Sequence, residues 1–439
     1  MAGRLFGTDG VRGRAGDFLT PELALALARA AAAETGAQRP QVLIVRDTRE
    51  SGEMLQAALA AGVSAAGGDA LLGGVLPTPA APLLLARYGF DLAAVLSASH
   101  NPYEDNGIKF FASDGYKLSD EAEDRIEARL AEARDTAGSD TGRIRDLRGA
   151  PEDYLRELHT RFSELSLDGL DVVLDCANGA THHVGPEIFR RLGANVTVVA
   201  AEPDGRNIND GCGSTHIERL GEVVRDGSHA LGFAFDGDGD RVLAVDRDGA
   251  VVDGDELLAL AALHLRGAGR LAGDGVVVTV MTNYGFHTAM ERAGVAVATT
   301  SVGDRYVLDE LRSRGWNLGG EQSGHIIEMG FNHTGDGVAG ALLTLEALAG
   351  RDLADRDAME KLPQRLVNVR VRDREALSGA DEVESAVAAA QAELSGRGRV
   401  LVRPSGTEPL VRVMVEAPSE SEADEVCARL VGLVERELA

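Results

Sequence analysis

Short apolar runs alternate with amphipathic stretches through the first two thirds of the chain. Gln41-Val42-Leu43-Ile44-Val45 has the pattern of a buried strand. Helical spacing follows near Met54 to Ala66, and a second apolar run at Ala70-Leu71-Leu72. The same order returns with Asp171 to Asp175, a helix near Pro186 to Leu192, then Gly193 and Val196 to Val199. It returns again with Val276 to Val280, a helix near Phe286 to Arg292, then Gly294 and Val295 to Ala298. Glycine after a helix supplies a left-handed stop. Apolar strand, helix, apolar strand is the βαβ unit of a mainly parallel sheet. The reading is an α/β protein with three related βαβ-type domains on mixed, mainly parallel sheets. Ordinary βαβ units within one larger sheet remain the alternative. The last part differs. Leu366 to Val371 and Val411 to Glu416 read as strands, Asp381 to Leu394 and Glu420 to Leu438 as helices, making a smaller C-terminal α+β domain. Joints near Pro151, Asp253 and Pro363 give expected domains at 1–150, 151–252, 253–365 and 366–439. Asp120 to Arg134 reads as a charged helix with a solvated face.

Composition narrows the function. At roughly 150 residues per domain, 439 residues suit about three domains, and 44% apolar residues suffice for several cores. No run approaches the ~18 apolar residues of a membrane helix. The net charge is -26, from 44 basic and 70 acidic residues, which disfavours a nucleic-acid partner. Any phosphate site must therefore be locally basic. Almost all basic residues are arginine; the lysines are Lys109, Lys117 and Lys361. Cys176, Cys212 and Cys427 are sparse, far apart and outside any Cys-x-x-Cys, as in a reducing compartment. The first ten residues lack a signal-peptide pattern, so a cytoplasmic location is expected.

Five motifs carry candidate chemistry. Ser97-Ala98-Ser99-His100-Asn101-Pro102 follows the apolar strand Leu92 to Leu96, and Asp105-Asn106-Gly107-Ile108-Lys109 follows it. A hydroxyl on a loop after a strand suits a nucleophile or phosphate carrier. Taken alone, it also reads as a turn that satisfies its own backbone. Asn106-Gly107 is a turn signal. Asp236-Gly237-Asp238-Gly239-Asp240-Arg241 lies between two apolar runs, and alternate carboxylates on a bent loop can share one hard cation. An EF-hand would want Gly and Glu where Arg241 and Arg247 stand, so Mg²⁺ in phosphoryl transfer is the better reading. Gly320-Glu321-Gln322-Ser323-Gly324-His325 could bond sugar hydroxyls and exchange protons, or hold a satisfied loop histidine. Arg403-Pro404-Ser405-Gly406-Thr407-Glu408-Pro409, with Arg412 beyond, offers an anion nest, or an ordinary turn. Phe6-Gly7-Thr8-Asp9-Gly10-Val11-Arg12-Gly13 puts an arginine in a glycine-rich loop. No lysine precedes Ser or Thr, which excludes a P-loop, and Ser99 lacks a hydrolase elbow.

In order and spacing these motifs resemble the α-D-phosphohexomutase superfamily, and within it the phosphoglucosamine mutase branch. Val302-Gly303-Asp304-Arg305-Tyr306-Val307 belongs to the same likeness, which runs from residue 4 to about 417. The resemblance implies four domains around a central cleft, with one key loop from each. It implies Ser99 as phosphoserine, whose oxygen joins Asp236, Asp238 and Asp240 around one Mg²⁺ per subunit. Glu321 and Ser323 would read sugar hydroxyls. Arg403, Ser405, Gly406 and Thr407, with Arg412, would hold the distal phosphate. Arg12, His100, Lys109, Arg241 and His325 would form the charge-stabilising and proton-transfer set, the base among Lys109 and His325 being open. The implied reaction moves phosphate between the 6- and 1-positions of glucosamine through a 1,6-bisphosphate, supplying UDP-N-acetylglucosamine synthesis. The implied partner is a small amino-sugar phosphate, with a homodimer as a further expectation. Three rivals stand: a phosphomannomutase or phosphoglucomutase of the same mechanism, a haloacid-dehalogenase-type phosphatase with Asp236 as nucleophile, and a catalytically dead sugar-phosphate sensor, against which the intact motifs argue. The phosphatase wants a second Asp shortly after Gly335-Asp336-Gly337, where Val338, Ala339 and Gly340 stand.

Overall fold

The computed structural model describes residues 4–7, 9–132, 140–405 and 409–438. Chain packing groups them into two compact units: Met1–Val280 with Ala298–Arg356, and Met281–Val297 with Asp357–Ala439.

The first sheet runs in the order Val11–Arg14, Asp105–Ala112, Leu92–Leu96, Gln41–Arg46, Asp69–Val75, Ile144–Asp146. Its last four strands are parallel, and the first two are antiparallel additions. The second sheet runs Val251–Val252, Val242–Asp246, Leu231–Phe235, Asp171–Asp175, Asn195–Val199, again with parallel strands on one side and antiparallel ones on the other. In the third, Gly275–Thr279 is parallel to Leu318–Gly320, which pairs antiparallel with Ile326–Glu328. Central strands such as Gly275–Thr279 are buried throughout, as parallel strands covered on both faces must be. The three βαβ units therefore stand on separate sheets, against the alternative of a single large one.

One arrangement recurs in each sheet. A parallel strand ends, a short loop follows, and the chain returns antiparallel alongside. The loops span 97–104, 236–241 and 321–325. Three of the five motifs thus sit at the same topological position, the carboxyl end of a parallel strand, where α/β sheets bind ligands.

Several expectations change. Asn106-Gly107 is not a turn but lies inside the strand Asp105–Ala112, paired with Gly13 and Arg12. Gly107 is there for close approach, since a Cβ on it would lie 2.3 Å from Ser97 O. The charged helix Asp120–Glu132 is not simply solvated. Glu123 is buried against Arg4 and Arg305, and Glu127 Oε1 accepts the N–H groups of Leu5 and Phe6. The helix Tyr284–Ala293 packs with the C-terminal unit rather than with its neighbours in sequence. Its first N–H groups explain this: Tyr284 N donates to the buried Glu416 carboxylate at 2.8 Å.

The C-terminal sheet is antiparallel, ordered Gln364–Arg370, Leu410–Glu416, Arg399–Pro404. The strand Arg399–Pro404 was not expected; its last two residues, Arg403 and Pro404, read as the start of the anion-binding loop. Among the described residues, no helix is long and apolar enough to cross a membrane.

The buried helix Gly337–Leu348 is capped by Asp336, which accepts from Ala339 N at 2.9 Å and from Tyr154 Oη at 2.9 Å. Burial pushes the Asp336 carboxyl up to about 6. A raised native pKa contributes stability at low pH that is lost as pH rises through it. Asp336→Asn has no proton to lose. Between pH 5 and 8 its stability, measured by urea unfolding, is expected to gain about 1 kcal/mol on the wild type.

Candidate active site

Ser99 sits at the carboxyl end of Leu92–Leu96 with φ of 51°, a left-handed conformation unusual for a side chain with a Cβ. Its surroundings fix it there. Ser99 N donates to Ser97 Oγ at 2.9 Å, and Ser97 Oγ donates to Asp47 Oδ2 at 2.6 Å. The fully buried Arg49 bonds Asp47 through Nε and the carbonyls of Ser99, Asn101, Pro102 and Asp105 through its terminal nitrogens. From the next βαβ module, Asn209 Nδ2 donates to Ser99 O at 2.9 Å. Gly237 must be glycine, since a Cβ there would lie 2.6 Å from the same carbonyl.

Ser99 Oγ donates to Asp236 Oδ2 at 2.5 Å. One oxygen each of Asp236, Asp238 and Asp240 lie within 4.8 Å of one another, and all three residues are buried. Burial, then the charges of Asp240 and Asp238, hold the Asp236 carboxyl well above the usual range. Among the described residues, Asp238 Oδ1 and Asp240 Oδ1 are buried with no hydrogen-bond partner. Unsatisfied buried carboxylate oxygens are costly, and a hard cation would satisfy them. The residues therefore fit a bound dication.

Cations ring this group. Lys109 Nζ, almost wholly buried, lies 2.9 Å from Asp238, 3.2 Å from Asp9 and 3.9 Å from Asp240. Burial opposes its charge, but these carboxylates outweigh it and raise its pKa. Arg12 pairs with Asp9. Arg241 Nη1 donates to His100 Nδ1 at 3.2 Å, and Ser99 Oγ lies 3.2 Å from the same nitrogen. Burial and the neighbouring Arg241 and Arg12 lower the His100 pKa, keeping the ring neutral. His325 Nε2 accepts from Gly335 N at 3.0 Å, which places the ring proton on Nδ1, 3.7 Å from Asp240 Oδ1.

Glu321 is buried, and its Oε1 accepts from Gly303 N at 3.0 Å, while Ser323 stands exposed. In the C-terminal unit, Arg403 and Arg412 are direct cross-strand partners. Two guanidiniums facing one another, with no carboxylate paired to them among the described residues, invite an anion: burial and Arg412 both lower the Arg403 pKa. Arg412 Nε is a buried donor without an acceptor among the described residues. Ser405 is buried, with its carbonyl on Arg374. Gly406 and Thr407 lie outside the described residues.

Sequence reasoning missed Asp47, Arg49, Thr78, Asn209, Lys117 and Asp304 as neighbours of the site. Thr78 Oγ1 donates to Asp238 Oδ2 at 2.6 Å. The signal for Asp47 and Arg49 was present: Arg46-Asp47-Thr48-Arg49 ends an apolar parallel strand, where switch-point sites form.

Known proteins resemble this chain along nearly its whole length. Phosphoglucomutase/phosphomannomutase family descriptions match in succession: α/β/α domain I over residues 3–137, domain II over 152–249, domain III over 253–366 and the C-terminal domain over 366–433. A phosphoglucosamine mutase of Saccharopolyspora erythraea is 53% identical over 439 residues, covering 98% of this chain and 99% of its own. One from Moorella thermoacetica is 51% identical over 438 residues, covering 98% of each chain. Among solved structures, a phosphoglucomutase/phosphomannomutase family protein of Burkholderia thailandensis superposes with a TM-score of 0.83 at 25% identity, covering 99% of this chain and 97% of that one. The fold is shared too by the Aspergillus fumigatus N-acetylphosphoglucosamine mutase, solved with GlcNAc-6P and magnesium, at a TM-score of 0.70 and 18% identity over 99% of this chain and 96% of that one. Matched by all four domain descriptions and about half identical to these mutases over nearly its full length, the chain belongs to the phosphoglucosamine mutases of the α-D-phosphohexomutase superfamily.

Proposed function

We propose that the chain interconverts glucosamine-6-phosphate and glucosamine-1-phosphate, with Ser99 as phosphate carrier. The observation that carries this reading is the 2.5 Å bond from Ser99 Oγ to Asp236, which sets a hydroxyl against three buried carboxylates. Asp236, Asp238 and Asp240, with a Ser99 oxygen, would hold one Mg²⁺, which when bound neutralises charge on a transferring phosphoryl group.

The 1- and 6-oxygens of one hexose cannot readily exchange a phosphate directly. Phosphorylated Ser99 gives its group to the free hydroxyl, forming glucosamine 1,6-bisphosphate. The sugar turns, and its other phosphate returns to Ser99. Transfer of this kind needs positioning and charge neutralisation. Lys109 Nζ keeps its proton among its carboxylates, so it supplies positive charge beside Arg12 and Arg241. His100 presents a neutral ring to Oγ. His325 presents its Nδ1 proton within the same group. Glu321 and Ser323 read sugar hydroxyls. Arg403, Ser405, Gly406, Thr407 and Arg412 grip whichever phosphate is distal, in the last of four domains at 1–150, 151–252, 253–365 and 366–439. The reading extends to a cytoplasmic homodimer, which light scattering on the purified protein tests in its oligomeric part.

Phosphopeptide mapping, combined with turnover of glucosamine-6-phosphate and glucose-6-phosphate, tests the whole. Acid-stable phosphate on Ser99 and preference for the 2-amino sugar support it. Preference for the 2-hydroxy sugar would move the chain to its phosphoglucomutase relatives. A hydroxylamine-labile phosphate on Asp236 would replace the mechanism.

Because both substrates would present a phosphate to the same nest, Arg403→Ala is expected to lower kcat/KM about tenfold in both directions, the cost of a hydrogen bond to a charged group. Free bisphosphate should appear in solution, measured by chromatography. Loss in one direction only would place the nest elsewhere.

A further inference from the structure

Beyond the residues given roles above lies a half-buried cation that links them. Lys117 Nζ is 2.6 Å from Asp9 Oδ1 and ion-paired with Asp304 Oδ2. Asp9 uses its other oxygen on Lys109, at 3.2 Å, and on Arg12. Asp304 Oδ2 lies 3.9 Å from His325 Nε2, on the side of the ring opposite Asp240. Lys109 closes the circuit onto Asp240 at 3.9 Å. Acidic and basic side chains alternate around a closed ring: Asp240, His325, Asp304, Lys117, Asp9, Lys109 and back to Asp240. Lys117 is the member farthest around from the carboxylate triad, and it links Asp9 directly to Asp304.

The composition adds an independent argument. Only three of the 44 basic residues are lysine, and two of them, Lys109 and Lys117, sit in this ring. A chain that meets nearly every need for positive charge with arginine keeps lysine at these two points. An ammonium is a compact point charge that can sit between two carboxylates. A guanidinium is a wide planar fork. Next to Lys117 a cavity of about 240 Å³, lined also by Asp304, Arg305, His325 and His333, leaves room for a bulkier head to swing away from the carboxylates.

We propose that Lys117 is a positioning residue for phosphoryl transfer. Its ammonium fixes Asp9 and Asp304, and through them the Lys109 ammonium and the His325 ring, at the spacing the reacting groups need. It touches neither the carboxylate triad nor, on this account, the substrate. The proposal rests on the Ser99 centre being the active site.

The test uses the full-length Mg²⁺-loaded enzyme with Lys117→Met and Lys117→Arg, reading kcat and KM for glucosamine-6-phosphate together with thermal unfolding. Lys117→Met is expected to lower kcat more than fiftyfold with KM within threefold of wild type. Lys117→Arg keeps the charge and the folded state, yet kcat should remain at least tenfold low. A merely structural lysine would shift the unfolding temperature in Lys117→Met and be fully replaced by arginine. Full restoration of kcat by arginine therefore overturns the proposal, as does a Lys117→Met enzyme within threefold of wild-type kcat or one impaired only in KM. If Lys117→Met does not fold, the arginine variant decides alone. Wild-type turnover in Ser99→Ala would instead remove the active-site reading, so the two failures are distinguishable.

Discussion

Ser99→Ala is expected to lose more than about a thousandfold in mutase turnover, as removal of a covalent carrier does elsewhere. The fold should survive. Ser99 is held mainly through its backbone: Arg49 and Asn209 bond its carbonyl, and Ser97 bonds its N–H. None of these needs the hydroxyl. Alanine also accepts the left-handed φ of 51° at a cost similar to that for serine. The hydroxyl's one short partner is Asp236 Oδ2, which loses that donor in the variant, while Asp236 Oδ1 still accepts from Arg241 N. Burial and the charges of Asp240 and Asp238 already hold the Asp236 pKa well above the usual range, which limits the penalty. Steady-state turnover, with mass spectrometry for phosphate incorporation, gives the check. Normal turnover with phosphate on Ser97 would move the carrier by two residues.

The second large effect concerns the cation. Asp238→Asn is expected to lower Mg²⁺ affinity at least a hundredfold in a calorimetric titration and to abolish turnover, because an amide is a weaker and uncharged ligand for a hard cation. Asparagine is the better probe than alanine. Either substitution removes the charge facing Lys109, at a cost of about 3–5 kcal/mol, but alanine would also lose the bond from Thr78. The amide keeps the shape and the Thr78 bond. In the wild type, affinity for Mg²⁺ should rise with pH. The sign follows from Asp236, whose carboxyl sits well above its usual range, so a bound dication must displace a proton. Proton release on binding, read from the buffer dependence of the heat, tests this directly. Unchanged Mg²⁺ affinity in Asp238→Asn would take the site away from this loop.

The sequence exposed most of the scaffold because the signals were local. Asp171–Asp175 and Glu420–Leu438 have the bounds their patterns suggest, since an apolar strand and a long amphipathic helix declare themselves in a few residues. The motif loops were legible for the same reason. What stayed hidden depends on partners far along the chain. Arg49 looked like one arginine among many until the carbonyls of residues 99 to 105 closed around it. Asn106-Gly107 carries the local chemistry of a turn, and only pairing with residues 12 and 13 makes it strand. Lys117 lies eight residues from a motif lysine, yet its meaning comes from Asp304, nearly two hundred residues later. Such pairings leave no periodicity to read.

The interlocked backbones of the serine and carboxylate loops have a consequence for the newly made protein. Ser99 O is gripped by Asn209 and abutted by Gly237, while Ser99 Oγ meets Asp236. A ribosome that has released only the first 150 residues has therefore made a serine loop without its chemistry. The hydroxyl becomes chargeable only after the chain through Asp240 has emerged and folded beside it. On the proposed mechanism, truncated and stalled products would carry no phosphate on Ser99, and its phosphorylation would mark that synthesis has passed the second module.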